Sequence, residues 1–328
     1  TFSRESMSDA DREQRQRIVD VLYETVKEGV TSDRNVSPAS FDQVIDEQTV
    51  LTPDEALALG LIDEISRWDK LPYSLREQNA ALYPFVPTEA VREYWDDQWG
   101  LPKKIPVVYA VGACAMDSGI KGRKTSEDLR RLAGDPTVAA VVLRADSPGG
   151  RPQPSDLVAD AINILKAAGK PVIVSQGDVA ASGGYWISMN GTEVLTTPLT
   201  ITGSIGVIGG WVWDDGMTEK VGITSEVVQR GERADLFATV NLPFLGGIPR
   251  RPLDEAELER IRALILDSYE KFVTAVATGR GLTTDEVEDI AQGRVWMGGD
   301  AIEHGLCDRY GSLDDAIERA RKLAGVGD

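Results

Sequence analysis

Residues 137–150 read TVAAVVLRADSPGG. The first nine, Thr137–Ala145, are apolar apart from Thr137 and Arg144. An unalternating apolar run of that length predicts a strand covered on both faces, as in the middle of a parallel sheet. Pro148-Gly149-Gly150 then stops the strand. Downstream, Ser155–Ala168 predicts a helix closed by Gly169-Lys170-Pro171, and Val172–Ser175 a second strand. Strand, glycine turn, helix and strand in that order is a βαβ unit, and it sets the fold class as α/β.

Working outward, IPVVYAVGACAM (Ile105–Met116) predicts a preceding strand and Thr125–Leu132 a helix. After Ser175, Gly177–Gly184 reads as a turn into a helix running to about Met189. Short strands follow at Glu193–Thr196, Ile205–Ile208 and Ile223–Val228. The N-terminal 30 residues form an amphipathic helical pattern with Ser6 or Ser8 as cap, then a polar loop over 31–40 and a short helix over 53–60.

Two segments of the chain repeat at one offset. MSDADREQRQRIVDVLYETVKEGV (7–30) resembles LDEAELERIRALILDSYEKFVTAV (253–276), and VLTPDEALALGLIDEI (50–65) resembles VWMGGDAIEHGLCDRY (295–310), each about 245 residues apart. The expectation is that 1–70 is the C-terminal helical part of a first repeat whose core precedes Thr1. On this reading 71–104 is a connector and 105–328 the second repeat. The length, 328 residues, suits about two domains.

The net charge of −18, from 53 acidic and 35 basic residues, argues against nucleic acid as a partner, since phosphate binding concentrates Lys and Arg. Ile105–Met116 is too short to span a membrane. Cys114 and Cys307 stand far apart in apolar context and are read as small buried hydrophobes, with no metal or cofactor expected.

Three turns can carry chemistry. Asp146-Ser147-Pro148-Gly149-Gly150 exposes backbone N–H groups at a strand end, where they can stabilise an oxyanion or make a simple turn. In Ala180-Ala181-Ser182-Gly183-Gly184-Tyr185-Trp186 a serine opens a helix, as a nucleophile or as an N-cap. Gly183-Gly184 costs roughly 1 kcal/mol per residue in helix stability, which implies that the space is needed. Thr202-Gly203-Ser204-Ile205-Gly206 is a third small-residue turn. The one histidine, His304, aligns with Leu59 in the repeat, so a helix-surface or packing role is expected and a Ser–His–Asp triad is not. A desolvated lysine is the usual substitute base. Lys166, Lys170 and Lys220 sit on helices or helix ends and are expected to be solvated.

DSPGG, ASGGYW and TGSIG together, with the later RGERAD, AQGRVW and HGLCD, resemble the signal peptide peptidase A family of serine–lysine proteases, in its long duplicated bacterial form. The resemblance implies a ClpP/crotonase-like α/β core with C-terminal helical elements, Ser182 as nucleophile and Gly149 as the oxyanion-hole donor. It further implies that Ser204 orients a general-base lysine, with Gly150 and Gly183 beside the substrate. Ala234 stands where the short form of the family has its lysine, so the resemblance implies a lysine supplied from the first repeat, before Thr1. It also implies remnant signal peptides and other hydrophobic or unfolded peptides as substrates. The implied assembly is a homo-oligomer, a tetramer, facing the periplasm from the bacterial inner membrane, with an anchor in the N-terminal part. Two alternatives stay open: a non-catalytic assembly or binding subunit, and an acyl-CoA enzyme on the same core.

Overall fold

The computed structural model describes residues 8–47, 51–66, 75, 77, 103–220, 222, 235–242 and 246–326. They fall into two compact units, one of 1–106 with 135–140 and 321–328, the other of 107–134 and 141–320. The expected connector lies outside the described residues except at 75, 77, 103 and 104, as does the expected strand Ile223–Val228.

The first unit holds α1 (Asp9–Asp33), α2 (Pro38–Glu47) and α3 (Pro53–Ala58). Ser8 caps α1, accepting from Asp11 N–H at 3.2 Å. Of the predicted loop over 31–40, only 34–37 lies outside helix; the rest is the end of α1 and the start of α2. Ser37 closes the gap by accepting from Ser40 N–H, and Pro38 sits at a helix start, where its missing N–H is not needed.

The second unit alternates β1 (Val107–Val111), α4 (Gly122–Gly134), β2 (Val141–Ser147), α5 (Pro152–Ala167), β3 (Val172–Ala181), α6 (Gly183–Trp186), β4 (Glu193–Thr196) and β5 (Ile201–Gly203). There follow α7 (Met217–Lys220), β6 (Thr239–Leu242), β7 (Gly246–Pro249), α8 (Glu255–Arg280), α9 (Thr284–Ile290), β8 (Val295–Met297), α10 (Gly298–Glu303), β9 (Arg309–Tyr310) and α11 (Leu313–Leu323). The sheet runs β1-β2-β3-β4-β9, all parallel, with β5 parallel to β3 and β8 antiparallel to β5; β6 and β7 form a separate hairpin. Val141, Val142 and Leu143 on β2, and Val172, Ile173 and Val174 on β3, have no exposed surface. Each such side chain contributes about 1.5–3 kcal/mol on burial. The mixed α/β architecture with a parallel sheet is as expected.

Strand β3 serves two neighbours. Its first half pairs β4 through Ile173–Ser175, and its last three residues pair β5, with Ala181 opposite Gly203. The expected turn at 177–184 is therefore strand as far as Ala181. The expected strand over Ile205–Ile208 is not formed, because the chain leaves the sheet after Gly203. The helix expected to reach Met189 ends at Trp186. On the other side, the β2–β3 register slips between Ala145 and Ser147, and the Asp146 carboxylate fills the bulge, accepting from Val179 N–H at 3.2 Å.

The repeat seen in the sequence has a counterpart in hydrogen bonds made separately inside each unit. Tyr23 donates to Asp42 at 2.5 Å and Tyr269 to Glu288 at 2.6 Å. Arg34 pairs with Asp63 at 2.5 Å and Arg280 with Asp308 at 2.7 Å. Gly60 and Gly305 both take φ +72°, each just past a six-residue helix, α3 or α10.

Candidate active site

Strand register brings the three turns together. Ser147 lies opposite Ala180, and Gly203 opposite Ala181, so Gly149, Ser182 and Ser204 emerge side by side at the carboxyl ends of β2, β3 and β5. Ligands of open parallel sheets bind at that edge. Ser182 N–H donates to Gly203 O at 2.8 Å, which ties the second turn to the third. A Cβ on Gly149 would stand 2.7 Å from Ser182 Cβ and 2.9 Å from Ala181 O, so only glycine fits this approach. The Gly149 N–H donates to Ser147 Oγ at 3.2 Å, and Gly149 O accepts from Cys114 N–H at 2.8 Å.

The backbone at these serines is strained. Ser182 has φ +54° and ψ −120°, and Ser204 has φ +48°. Among the described residues only two other non-glycines have positive φ, Lys121 and Gln292. Three of these four, Ser182, Ser204 and Gln292, line one cavity of about 550 Å³, with Pro148, Gly150 and Tyr269 also in its wall. Each such residue costs of order 1–3 kcal/mol and persists only where the surroundings enforce it. Ser182 precedes α6 without making a capping bond through its hydroxyl, so the N-cap role does not account for it.

Helix α6 is held from below. Tyr185 is fully buried and donates to Leu306 O at 2.9 Å; burial raises its pKa well above that of a free phenol. A Cβ on Gly184 would lie 2.2 Å from Ser147 O, and one on Gly183 2.6 Å from Ser155 Oγ. The paired glycines let the helix sit directly on the first turn. Trp186 packs against Phe272 of α8 with ring centroids 4.5 Å apart. These two rings, with Pro152, Val207 and Ile208, help to line a second cavity of about 140 Å³, which Ser182, Gly150 and Gly183 also border.

No lysine or histidine lines either cavity among the described residues. His304 packs edge-on against Trp296, centroids 4.1 Å apart, the packing alternative of the two expected for it. Lys166 is exposed and donates to Asn190 O at 2.9 Å. Lys170, expected to be solvated, is half-buried and donates to Leu132 O at 2.7 Å. Ala234 lies outside the described residues. Cys114 and Cys307 are free and buried, as expected. No described helix is long and apolar enough to cross a membrane.

Tyr269, Gln292 and Gly293 belong to the larger cavity but carried no site assignment from sequence. Their signal was present in part: the tyrosine is common to both repeats, and Gln292-Gly293 sits inside the AQGRVW segment.

The model of peptidase family S49 matches residues 1–82 and 164–327. The chain belongs to peptidase family S49. Relatives agree. "Protease 4" of Salmonella typhi is 32% identical, over 98% of this chain and 53% of its own length. "Serine protease SPPA, chloroplastic" of Arabidopsis thaliana is 31% identical, over 99% of this chain and 49% of its own. "Putative signal peptide peptidase SppA" of Enterococcus faecium is 32% identical, over 59% of this chain and 54% of its own. The S49 chain thus spans about half the length of these relatives. A ClpP1 mutant from Listeria monocytogenes superimposes with a TM-score of 0.41 at 15% identity, covering 64% of this chain and 94% of that one.

Proposed function

We propose that this S49 chain carries the nucleophile half of a serine–lysine endopeptidase site, with Ser182 attacking the peptide carbonyl. The observation that carries the proposal is the strained Ser182 elbow, whose hydroxyl makes no capping bond and which shares a cavity with Ser204. Ser182 Oγ forms a bond to the carbonyl carbon while its proton passes to a neutral lysine supplied from outside this chain. The lysine returns that proton to the departing amine, leaving an acyl ester. Water, deprotonated by the same base, then adds to the ester, and Ser182 leaves as the alcohol.

Gly149 N–H supplies the oxyanion contact, exchanging its 3.2 Å bond to Ser147 Oγ for one to the developing negative charge. Ser204 orients the lysine, and Gly150 and Gly183 flank the substrate chain. The smaller cavity, walled by Trp186, Phe272 and Val207, suits an apolar side chain next to the scissile bond. Hydrophobic peptides, remnant signal peptides among them, follow as substrates. An oligomer facing the periplasm from a membrane anchor completes the proposal.

Covalent trapping tests it. The full-length protein is treated with a hydrophobic peptidyl aldehyde or a fluorophosphonate, and the adduct is mapped by mass spectrometry. An adduct on Ser182 is expected. Absence of any adduct in folded protein moves the reading to a non-catalytic binding subunit.

A further inference from the structure

The turn at 291–294 holds the third active-site turn on both sides. Arg294 O accepts from Ser204 N–H at 2.9 Å, and Gly293 N–H donates to Ile205 O at 2.9 Å. A Cβ on Gly206 would fall 2.7 Å from Gly293 Cα, so the two segments are in direct backbone contact. Ser204, at φ +48°, is therefore bracketed by hydrogen bonds to the 291–294 turn.

That turn is in turn fixed by α8 and α9. Tyr269 Oη donates to Glu288 Oε2 at 2.6 Å and accepts from Gln292 N–H at 3.2 Å. Gln292 Nε2 donates to Glu288 Oε1 at 3.3 Å. One phenol thus joins the helix that lines the cavity, the carboxylate of the next helix, and a residue at φ +58°. The hydroxyl's role as both donor and acceptor is what the arrangement needs, and phenylalanine offers neither. In the first unit the same tyrosine-to-carboxylate bond occurs at the same separation of 19 residues, from Tyr23 to Asp42. The bond is therefore part of the repeated unit and not an accident of one loop.

We infer that Tyr269 is a positioning residue, which sets Ser204 through the Gln292–Arg294 turn. The inference rests on the peptidase reading, in which Ser204 orients the base. It extends the site from the strand ends to a helix with no motif of its own.

The test compares wild type, Tyr269→Phe, Glu288→Gln and Glu288→Leu in the full-length protein. Peptide turnover, fluorophosphonate labelling of Ser182 and thermal melting are measured for each. Tyr269→Phe is expected to lower kcat about 10- to 100-fold with KM changed less than about threefold, since substrate contacts are kept while the proton relay is misaligned. Glu288→Leu is expected to lower kcat likewise. Glu288→Gln, whose side-chain oxygen still accepts from the phenol, should recover most of it. Equal kcat in wild type and Tyr269→Phe would overturn the inference. So would a rise in KM without loss of kcat, or a Glu288→Gln variant as impaired as Glu288→Leu. If Tyr269→Phe does not fold, the two Glu288 variants decide by the same criteria. Failure of wild type to label at Ser182 is a separate outcome and removes the peptidase reading itself.

Discussion

Ser182 and Ser204 follow residues that face each other across one strand pair: Ala181 is in register with Gly203, and Ser182 N–H donates to the Gly203 carbonyl at 2.8 Å. The spacing of the two hydroxyl-bearing residues is thus a property of the β3–β5 ladder. Neither can move without breaking sheet hydrogen bonds.

Replacing Ser182 by alanine should abolish peptide hydrolysis, by at least about 10³-fold, without lowering the melting temperature, because the hydroxyl caps nothing. Ser182→Gly should be equally inactive and melt higher than Ser182→Ala, since φ +54° costs glycine nothing. Turnover and melting curves on the three proteins check both statements.

Gly149→Ala places a methyl group 2.7 Å from Ser182 Cβ at a backbone φ of +102°. Phosphonylation of Ser182 by a fluorophosphonate, in which Oγ bonds to phosphorus and fluoride leaves, should slow by about 10²-fold or more, as expected when an oxyanion donor is displaced. Labelling rates measured beside melting curves separate this from unfolding.

Arg280 is a buried cation, its side chain 7% exposed, and Asp308 is its partner. Asp308 also accepts from Val194 N–H at 2.6 Å, so it links α8 to β4. Asp308→Ala leaves the guanidinium and that N–H short of partners, and should cost about 2–4 kcal/mol in urea unfolding. Asp308→Asn, which retains an acceptor, should cost less.

Acid should destabilise the fold through carboxylates held below their ordinary range. Arg251 lowers Asp235, the Thr218 hydroxyl lowers Asp214, and backbone N–H groups of Thr283 and Ser312 lower Glu286 and Asp315. Each is more acidic folded than unfolded, so the unfolded chain binds more protons in the window between the two values. The stabilisation is fully present above about pH 4.5 and is lost as pH falls through the folded values. Urea midpoints should be flat from pH 7 to 5 and drop steadily towards pH 3. A midpoint unchanged at pH 3 contradicts this.

Much of the site was legible before the fold was known. The run Thr137–Ala145 announced a buried parallel strand; Gly149 and Ser182 each stood in a small-residue turn after a predicted strand, and Ser204 in one before a predicted strand. Their side-by-side arrangement was not legible. It depends on β3 pairing two strands in succession, and local patterns carry no pairing partner. Ile205–Ile208 looked like a strand because it is apolar. It is instead a cavity edge, with Ile208 almost wholly exposed. Pro38 concealed α2, because a proline that opens a helix looks in sequence like one that interrupts a loop. Tyr269 escaped because its role rests on Glu288 and Gln292, which it meets only through tertiary contacts.

Since β3 changes neighbours part-way along, the cavity draws on residues from Pro148 to Gly293 and exists only after the last of them has arrived. A chain still being synthesised, or one whose 291–297 segment has come loose, has nothing to hold Ser204 at φ +48°. The side-by-side placement of Ser182 and Ser204 is thus a property of tertiary pairing, which a partly folded copy lacks.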